Sequence, residues 1–189
     1  KKAALVKKIT KAKTIKKDHS LAEALWETKA LHPRLLAILI MDKKHLTQDY
    51  IDQLDGEMQT HTESESTQLM DWLMANQLMK DSKTIALMET WSNSGSPLQR
   101  RTYWYHQARL RWVGQKPPDN TAELLSIIES KILHESHEVQ WAMNFAAGWI
   151  GVYDLANRSR CIAIGKDSGL YKNEPVSKGC TPNYLPEFI

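Results

Sequence analysis

Apolar residues recur along this chain at spacings of three and four, the period that places them on one face of an α-helix. The clearest example is DNTAELLSIIESKIL, residues 119–133, where leucine and isoleucine repeat at that spacing. The stretch HEVQWAMNFAAGWIGVYDL, residues 137–155, is apolar almost all round, which is typical of a helix covered on both sides. Short alternating runs that predict β-strands are absent before the C-terminal tail. The sequence therefore predicts an all-α protein.

Local signals mark where two of the early helices begin. In SLAEALWETKA, residues 20–30, Ser20 is followed three positions later by Glu23, the pattern of a capping box with Ser20 as N-cap. In HPRLLAILIMD, residues 32–42, Pro33 falls in the first turn, where its missing N–H costs nothing.

The predicted helices repeat along the chain. Helices that follow another amphipathic helix and a short polar link start near Pro33, Ser66, Pro97 and Ser136, every 31 to 39 residues. Antiparallel helix pairs at such a period are typical of a HEAT-like α-α superhelix, a solenoid whose second helices line a concave groove. A plain helical bundle is the alternative.

Glycine and proline divide the chain near its end. Residues 1–164 are predicted to form the HEAT-like helical repeat domain, and residues 165–189 an extended tail that packs on the last repeat. Tyr184, Leu185 and Phe188 are the apolar anchors that we expect in this tail.

Composition changes this picture little. Of 189 residues, 42% are hydrophobic and 25% charged, which is ordinary for a globular protein, and the formal net charge is +3. The charges are unevenly distributed, since lysine fills eight of the first 17 positions while residues 49–71 contain seven acids and no lysine or arginine. Such asymmetry permits an anionic partner at one face, although a lysine-rich helix is more often a solvated face.

Cysteine usage and hydropathy exclude several classes of protein. Cys161 and Cys180 are the two cysteines, and neither belongs to a CxxC motif. A reduced cytoplasmic protein without a disulfide framework is therefore expected, with neither a metal nor another cofactor. No run of 18 apolar residues predicts a membrane span.

The stretch SPLQRRTYWYHQARLRW, residues 96–112, combines arginines with aromatic residues. Arg100 and Arg101 fall in the first turn of a predicted second helix, which favours an anion at the helix N-terminus. Helical spacing directs Trp104 toward the core and Tyr103 or Tyr105 toward the groove. These residues leave two interpretations open for the arginines: phosphate binding, or a solvated helix face.

The chain resembles the DNA alkylation repair family, the AlkD-like HEAT-repeat DNA glycosylases. The resemblance covers nearly the whole chain and rests on the order and spacing of several stretches. They are SLAEALWETKALHPRLLAILIMD, YIDQLDGEM, LMDWL, METWSNSGSPLQRRTYW, SKILHESHEVQWAMNFAAGWIG and the ending GKDSGLYKNEPVSKGCTPNYLPEFI.

The resemblance implies a partner and a chemistry. The partner is duplex DNA, held on a basic concave face, and active members excise N-alkylated purines by hydrolysing the N-glycosidic bond. The alkylated base is already cationic and leaves readily, so a carboxylate beside the sugar can stabilise the oxocarbenium-like transition state and orient water. Indole faces add cation–π attraction, and an arginine holds a phosphate.

Specific residues follow from the resemblance. The catalytic carboxylate matches Asp71, and the phosphate-binding arginine matches Arg101, with Arg100 one residue away. The family has tryptophan at two further DNA-contacting positions, where this chain has Thr67 and Phe145. Tyr105 completes the expected DNA-binding set because its predicted direction is toward the groove.

These departures keep two functions open. One is a DNA-binding protein that excises N-alkylated purines with Asp71. The other is a non-catalytic HEAT-repeat scaffold that binds nucleic acid or a protein in its groove.

Overall fold

The computed structural model describes residues 17–112 and 115–189. The chain divides into two compact units, residues 1–84 and 85–189. Helices and turns form the described part of both units, and no β-strand occurs in it. The all-α prediction is confirmed. The lysine-rich start lies outside the described residues, apart from Lys17.

Short links join the helices of each unit. The first unit contains α1 (His19–Trp26), α2 (Leu31–Ile40), α3 (Gln48–Met58) and α4 (Glu63–Asn76). Helix α5 (Ser82–Glu89) crosses the boundary between the units. The second unit contains α6 (Pro97–Arg109), α7 (Thr121–Lys131), α8 (His137–Tyr153), α9 (Arg158–Ser168) and α10 (Leu185–Phe188). Single 3-10 turns occur at Lys43–His45, Leu78–Lys80, Trp91–Asn93 and Ile132–His134.

Hydroxyl side chains cap the N-termini of two of the predicted second helices. The Thr62 hydroxyl accepts from the Glu65 N–H at α4, at 3.4 Å, and the Ser96 hydroxyl accepts from the Gln99 N–H at α6, at 3.3 Å. Each satisfies one of the N–H groups that a helix start leaves without an intrahelical partner. Compared with the sequence prediction, helices α2, α4, α6 and α8 all begin within three residues of their expected starts.

The predicted cap of α1 is wrong by two residues. Asp18 is the N-cap, and its carboxylate accepts from the Leu21 N–H at 3.0 Å. Ser20 lies inside the first turn instead. Aspartate and serine are comparable N-caps, so the local pattern could not decide between them.

Helix pairing in the first unit follows the repeat that the sequence predicts. The Asp18 N–H, at the start of α1, donates to the Ile40 carbonyl at the end of α2, at 3.0 Å, so the two helices are antiparallel. Helix α2 also packs against α4, and α3 against α4. Each second helix thus contacts its own first helix and the neighbouring second helix, as stacked helix pairs do.

A buried guanidinium connects these helices. Arg34 is 1% exposed and donates to the Trp26 and Glu57 carbonyls at 3.1 and 3.0 Å. It also donates to the Glu57 carboxylate at 3.1 Å and contacts His61 Nε2 at 3.0 Å. Because arginine has no acceptor, His61 must accept through Nε2 and donate from Nδ1 to Glu65, 3.1 Å away. Arg34 therefore satisfies carbonyls at the C-terminal ends of both α1 and α3.

The core of the second unit lies between α6 and α8, which pack extensively along their lengths. Ala108, Ala142 and Ala146 are fully buried, and such small side chains allow two helices to approach closely. Trp104 is 1% exposed and fills the space beside them, so the prediction that it points to the core is confirmed.

The C-terminal segment packs on glycines of α8 and α9. Helix α9 continues to Ser168 and ends at Gly169, whose φ of 63° is the left-handed conformation that often terminates helices. A Cβ placed on Gly165 of α9 would lie 2.6 Å from the Leu185 Cβ, and one placed on Gly148 of α8 would lie 2.7 Å from the Phe188 ring. Because glycine has no Cβ at these two positions, α10 can pack directly on α8 and α9.

The Arg34→Ala substitution should lower the free energy of unfolding of the first unit by about 3–5 kcal/mol, because it removes a buried guanidinium that pairs with the Glu57 carboxylate and donates to two carbonyls. Urea denaturation followed by circular dichroism measures this change. Lys43→Ala is the matched control, since Lys43 pairs with Asp81 at the surface and should cost less than about 1 kcal/mol. Equal losses in the two variants would contradict the account of Arg34.

The Gly165→Ala substitution should destabilise the docked tail by about 1–3 kcal/mol, because the added methyl group meets the backbone and side chain of Leu185. Gly56→Ala in α3 is the control, since nothing lies within 4 Å of its added Cβ and alanine favours a helix by roughly 0.5–1 kcal/mol. Limited proteolysis of the tail and thermal unfolding would measure both. A stabilising Gly165→Ala would show that the tail is not held at this glycine.

Candidate functional site

The first turn of α6 directs its two adjacent arginines to different partners. Arg100 donates from Nε and Nη2 to the Glu135 carboxylate at 2.8–3.2 Å, and from Nη1 to the Ser94 and Gly95 carbonyls at 2.8 and 3.2 Å. This bidentate ion pair holds the loop before α6 against the loop before α8. The structure therefore gives Arg100 a structural role, while its contact with phosphate stays a prediction.

Arg101 lies deeper in the second unit. Its side chain is 5% exposed, and its guanidinium carbon lies 5.2 Å from the centre of the Trp141 ring on α8. A guanidinium over an indole face is stabilised by the negative face of the ring, and the stabilisation grows as water is excluded. Arg101 is thus a fixed positive charge at the junction of α6 and α8.

Three parallel rings follow Arg101 along this junction, and we call them the aromatic row: Tyr105, Trp141 and Phe145. The Trp141 and Phe145 centroids are 5.0 Å apart, those of Tyr105 and Phe145 are 5.6 Å apart, and those of Tyr105 and Trp141 are 6.1 Å apart. Their planes differ by at most 17°. All three side chains are half-buried, so the row has both a packed side and an accessible side.

The end of α6 carries two further arginines with different surroundings. Arg109 is half-buried, and its guanidinium carbon lies 5.2 Å from the Trp112 ring centre. Arg111 is 5% exposed, and burial lowers the pKa of its guanidinium because the charged form loses hydration. Of this pair, Arg109 is the one that presents its charge toward the surface.

Asp71 and Thr67 lie in the first unit, one turn apart on α4. Both side chains are half-buried at the edge of the packed face formed by Leu69, Met70 and Leu73. The neighbouring Trp72 donates from Nε1 to the Leu35 carbonyl at 3.0 Å, which fixes the rotation of α4. The threonine that replaces a family tryptophan therefore stands on the same side of the helix as the carboxylate.

The acid-rich run at residues 49–71 does not form a uniform negative surface. Asp55 is 3% exposed and is hydrogen-bonded by Gln59, Glu57 pairs with the buried Arg34, and Glu65 contacts His61. Ion pairing and burial thus neutralise or enclose part of this charge inside the first unit.

The second unit brings together three of the predicted residues, Arg101, Tyr105 and Phe145. Sequence reasoning assigned no certain place to Trp141 and gave no role to Arg109, although both belong to the same surface of α6 and α8. Trp141 stands four residues before Phe145, which is one helical turn, and that spacing was the available signal. It places an indole beside the phenylalanine that replaces the family's tryptophan.

The described residues contain neither a candidate metal-binding cluster nor a membrane-spanning helix. Within residues 17–112 and 115–189, no group of three His, Cys, Asp or Glu side chains could hold a metal ion. Burial raises the pKa of the Cys161 thiol to about 12, so it is protonated at neutral pH, whereas Cys180 is exposed. None of the described helices is both long and apolar enough to cross a bilayer.

Comparisons with known proteins agree with this architecture. Residues 2–154 match the DNA alkylation repair enzyme family. No curated protein matches the chain significantly. A solved structure with a TM-score of 0.64 and 20% sequence identity belongs to "a new family of proteins related to the HEAT-like repeat DNA glycosylases with affinity for branched DNA structures". The match covers 83% of this chain and 66% of that one, so this chain spans just under two thirds of its relative.

The solved structure shows that the fold is HEAT-like as well as all-α, which confirms the predicted fold class. The family match extends over the described helices α1 to α8 and includes both Asp71 and the aromatic row. This chain therefore belongs to the DNA alkylation repair enzyme family.

Proposed function

We propose that this protein binds duplex DNA through the surface formed by α6 and α8 in the second unit. The observation that carries the proposal is the aromatic row, three stacked half-buried rings with guanidinium groups at both ends of α6. Membership of a DNA repair family and the likeness to a protein with affinity for branched DNA support the same choice of partner.

The two arginines contribute to DNA binding in different ways. Arg109 is half-buried and can donate to a phosphate directly, which adds a charge-assisted hydrogen bond and releases a counterion. Arg101 is almost fully enclosed against the Trp141 ring, so in this proposal it holds the indole of the row in position. Arg100 is left out of this set because Glu135 already neutralises it.

The aromatic row suits the apolar parts of DNA. A ring face packs against deoxyribose or stacks on a base without reading its sequence. An alkylated purine is cationic, so the electron-rich faces of Trp141 and Tyr105 attract it more strongly than an ordinary base. Phe145 keeps the row continuous but has a weaker face for a cation than the tryptophan it replaces.

Excision of N-alkylated purines is the second candidate function, favoured by the half-buried Asp71 on α4. In this proposal its carboxylate stabilises the positive charge that develops on the sugar as the alkylated base departs, and it orients the attacking water. Thr67, one turn away, leaves room beside the carboxylate where the family has an indole. No cofactor takes part, because the leaving base carries its own positive charge.

Arg109→Ala should weaken duplex binding about ten-fold and reduce the slope of log Kd against log salt by about 0.9, the value for one phosphate contact. Arg101→Ala should weaken binding by a similar factor with a smaller change in slope, because its buried guanidinium positions the Trp141 ring and does not contact a phosphate directly. Fluorescence anisotropy with a labelled duplex over a range of salt concentrations measures both effects.

Arg160→Ala is the control for these variants. It removes the same charge from the second unit, but Arg160 is paired with Glu129 on α7 and should contribute little. If Arg160→Ala weakened binding as much as Arg109→Ala, DNA would be held by general charge and the proposed surface would be wrong.

Asp71→Asn should lower the rate of methylated base release from alkylated duplex DNA by about 10²–10³-fold, because an amide cannot stabilise the developing cation. Release of 3- and 7-methylated purines is measured by chromatography. Asp52→Asn, an exposed acid on α3, should leave the rate unchanged. DNA binding without any base release by the unsubstituted protein would exclude the excision function and favour a non-catalytic scaffold.

A further inference from the structure

A pocket lies next to the aromatic row, between the end of α6, the start of α7 and the C-terminal half of α8. Its volume is about 320 Å³, at the lower end of the roughly 300–1,000 Å³ of small-ligand sites. The residues around it are Arg111, Trp112, Gln115, Pro117, Thr121, Trp149, Ile150, Tyr153 and Asp154. All of them belong to the second unit.

Three aromatic residues form much of the wall, and we call this site the indole pocket. Trp149 and Tyr153 are stacked, with centroids 5.6 Å apart and planes 8° from parallel. Trp112 stands at 75° to Trp149, with the centroids 5.5 Å apart. The pocket therefore has flat ring faces at two orientations, an arrangement suited to a planar ligand.

The wall also contains buried donors that lack an acceptor. Arg111 Nε, Trp112 Nε1 and Trp149 Nε1 are buried, and none has a hydrogen-bond partner among the described residues. Buried polar groups are normally paired, and an unpaired donor loses its interactions with water without compensation. These three donors lie inside the wall and have almost no exposed surface, so the ring faces, rather than hydrogen bonds, supply the contacts of the pocket with a ligand.

Two charged residues of the pocket, Arg111 and Asp154, already make hydrogen bonds within the protein. Arg111 is held through Nη1 by the Gln107 carbonyl at 2.9 Å and through Nη2 by Asn120 Oδ1 at 2.6 Å, which fixes the position of its Nε. The Asp154 carboxylate accepts from the backbone N–H groups of Ala156 and Asn157 and from the Asn157 amide, at 2.8–3.3 Å, and so stabilises the turn before α9. The ring faces, rather than the carboxylate, therefore decide what the pocket binds.

The indole pocket is continuous with the aromatic row. Phe145, the ring that neighbours both other members of the row, also lies 5.8 Å from Trp149 and 6.4 Å from Trp112, measured between ring centroids. A strand that runs along the row would thus bring its next base to the mouth of the pocket. A base paired in a duplex could not enter, because its hydrogen-bonding edge is covered by its partner.

We propose that the indole pocket binds one unpaired nucleobase of DNA, stacked on the rings of Trp149 and Tyr153. This inference rests on the proposed DNA binding by α6 and α8. It assigns to the neighbouring pocket a distinct task, recognition of positions where a duplex is interrupted.

A pair of DNAs tests the proposal: a perfect duplex, and the same duplex with one extra thymine in one strand. The unsubstituted protein should bind the bulged DNA about ten-fold more tightly, the order expected from stacking one base on an aromatic side chain. Tyr153→Leu should remove most of this preference and leave the Kd for the perfect duplex unchanged. Trp149→Phe, which keeps a smaller ring, should reduce the preference partly.

A fluorescent base gives a second readout. When 2-aminopurine replaces the extra thymine, stacking on Trp149 and Tyr153 should quench its emission on binding, and Tyr153→Leu should restore most of the emission. Leu155→Ala is the control, because Leu155 is 74% exposed beside the pocket but does not line it. This variant should retain both the preference and the quenching.

The outcomes separate this proposal from the one on which it rests. Tight binding of the perfect duplex with no preference for the bulged DNA would overturn the pocket assignment alone. A preference that survives in Tyr153→Leu and Trp149→Phe would overturn it as well, since the unpaired base would then lie elsewhere. Failure to bind either DNA would remove the proposed function and the pocket assignment together.

Discussion

A guanidinium can leave water only where acceptors or ring faces replace its hydration, and this constraint determines the role of each arginine in the structure. Arg34 is enclosed by two carbonyls, Glu57, His61 and the Trp26 ring, so it connects α1, α2 and α3. Arg100 is neutralised by Glu135 and holds two loops together. Arg101 is enclosed against the Trp141 ring, which keeps its charge beside an aromatic surface. The same residue type therefore supports the fold at some positions and supplies the proposed binding surface at another.

Periodicity was sufficient to predict the helices, because apolar spacing reflects which face each helix buries. It predicted α2, α4, α6 and α8 within three residues, and the repeat of these helices predicted the HEAT-like fold. Features that depend on a single polar contact were harder to predict from the sequence. The cap of α1 fell on Asp18 instead of Ser20, since either residue satisfies the same N–H groups, and the bidentate pair of Arg100 with Glu135 joins residues 35 positions apart.

The candidate site was predictable only in part for a related physical reason. Phe145 follows from the family pattern and Tyr105 from its helical direction, but the parallel stacking with Trp141 depends on how closely α6 and α8 approach, which Ala108, Ala142 and Ala146 set together. The indole pocket depends on the turn after α6 and on the end of α8, and the sequence gives no spacing that connects them. What distinguishes it is the position of the Trp112 ring against the stacked rings of Trp149 and Tyr153, a property that exists only in the folded chain.

The central claim is that the aromatic row lies against DNA, and zero-length photo-crosslinking tests it most directly. A duplex containing 5-bromodeoxyuridine forms covalent bonds on irradiation with the aromatic side chains it touches, and mass spectrometry of the digested complex identifies them. The account predicts crosslinks to Tyr105 and Trp141, and their loss in competition with unmodified duplex. Crosslinks confined to other parts of the chain, with none on α6 or α8, would contradict it.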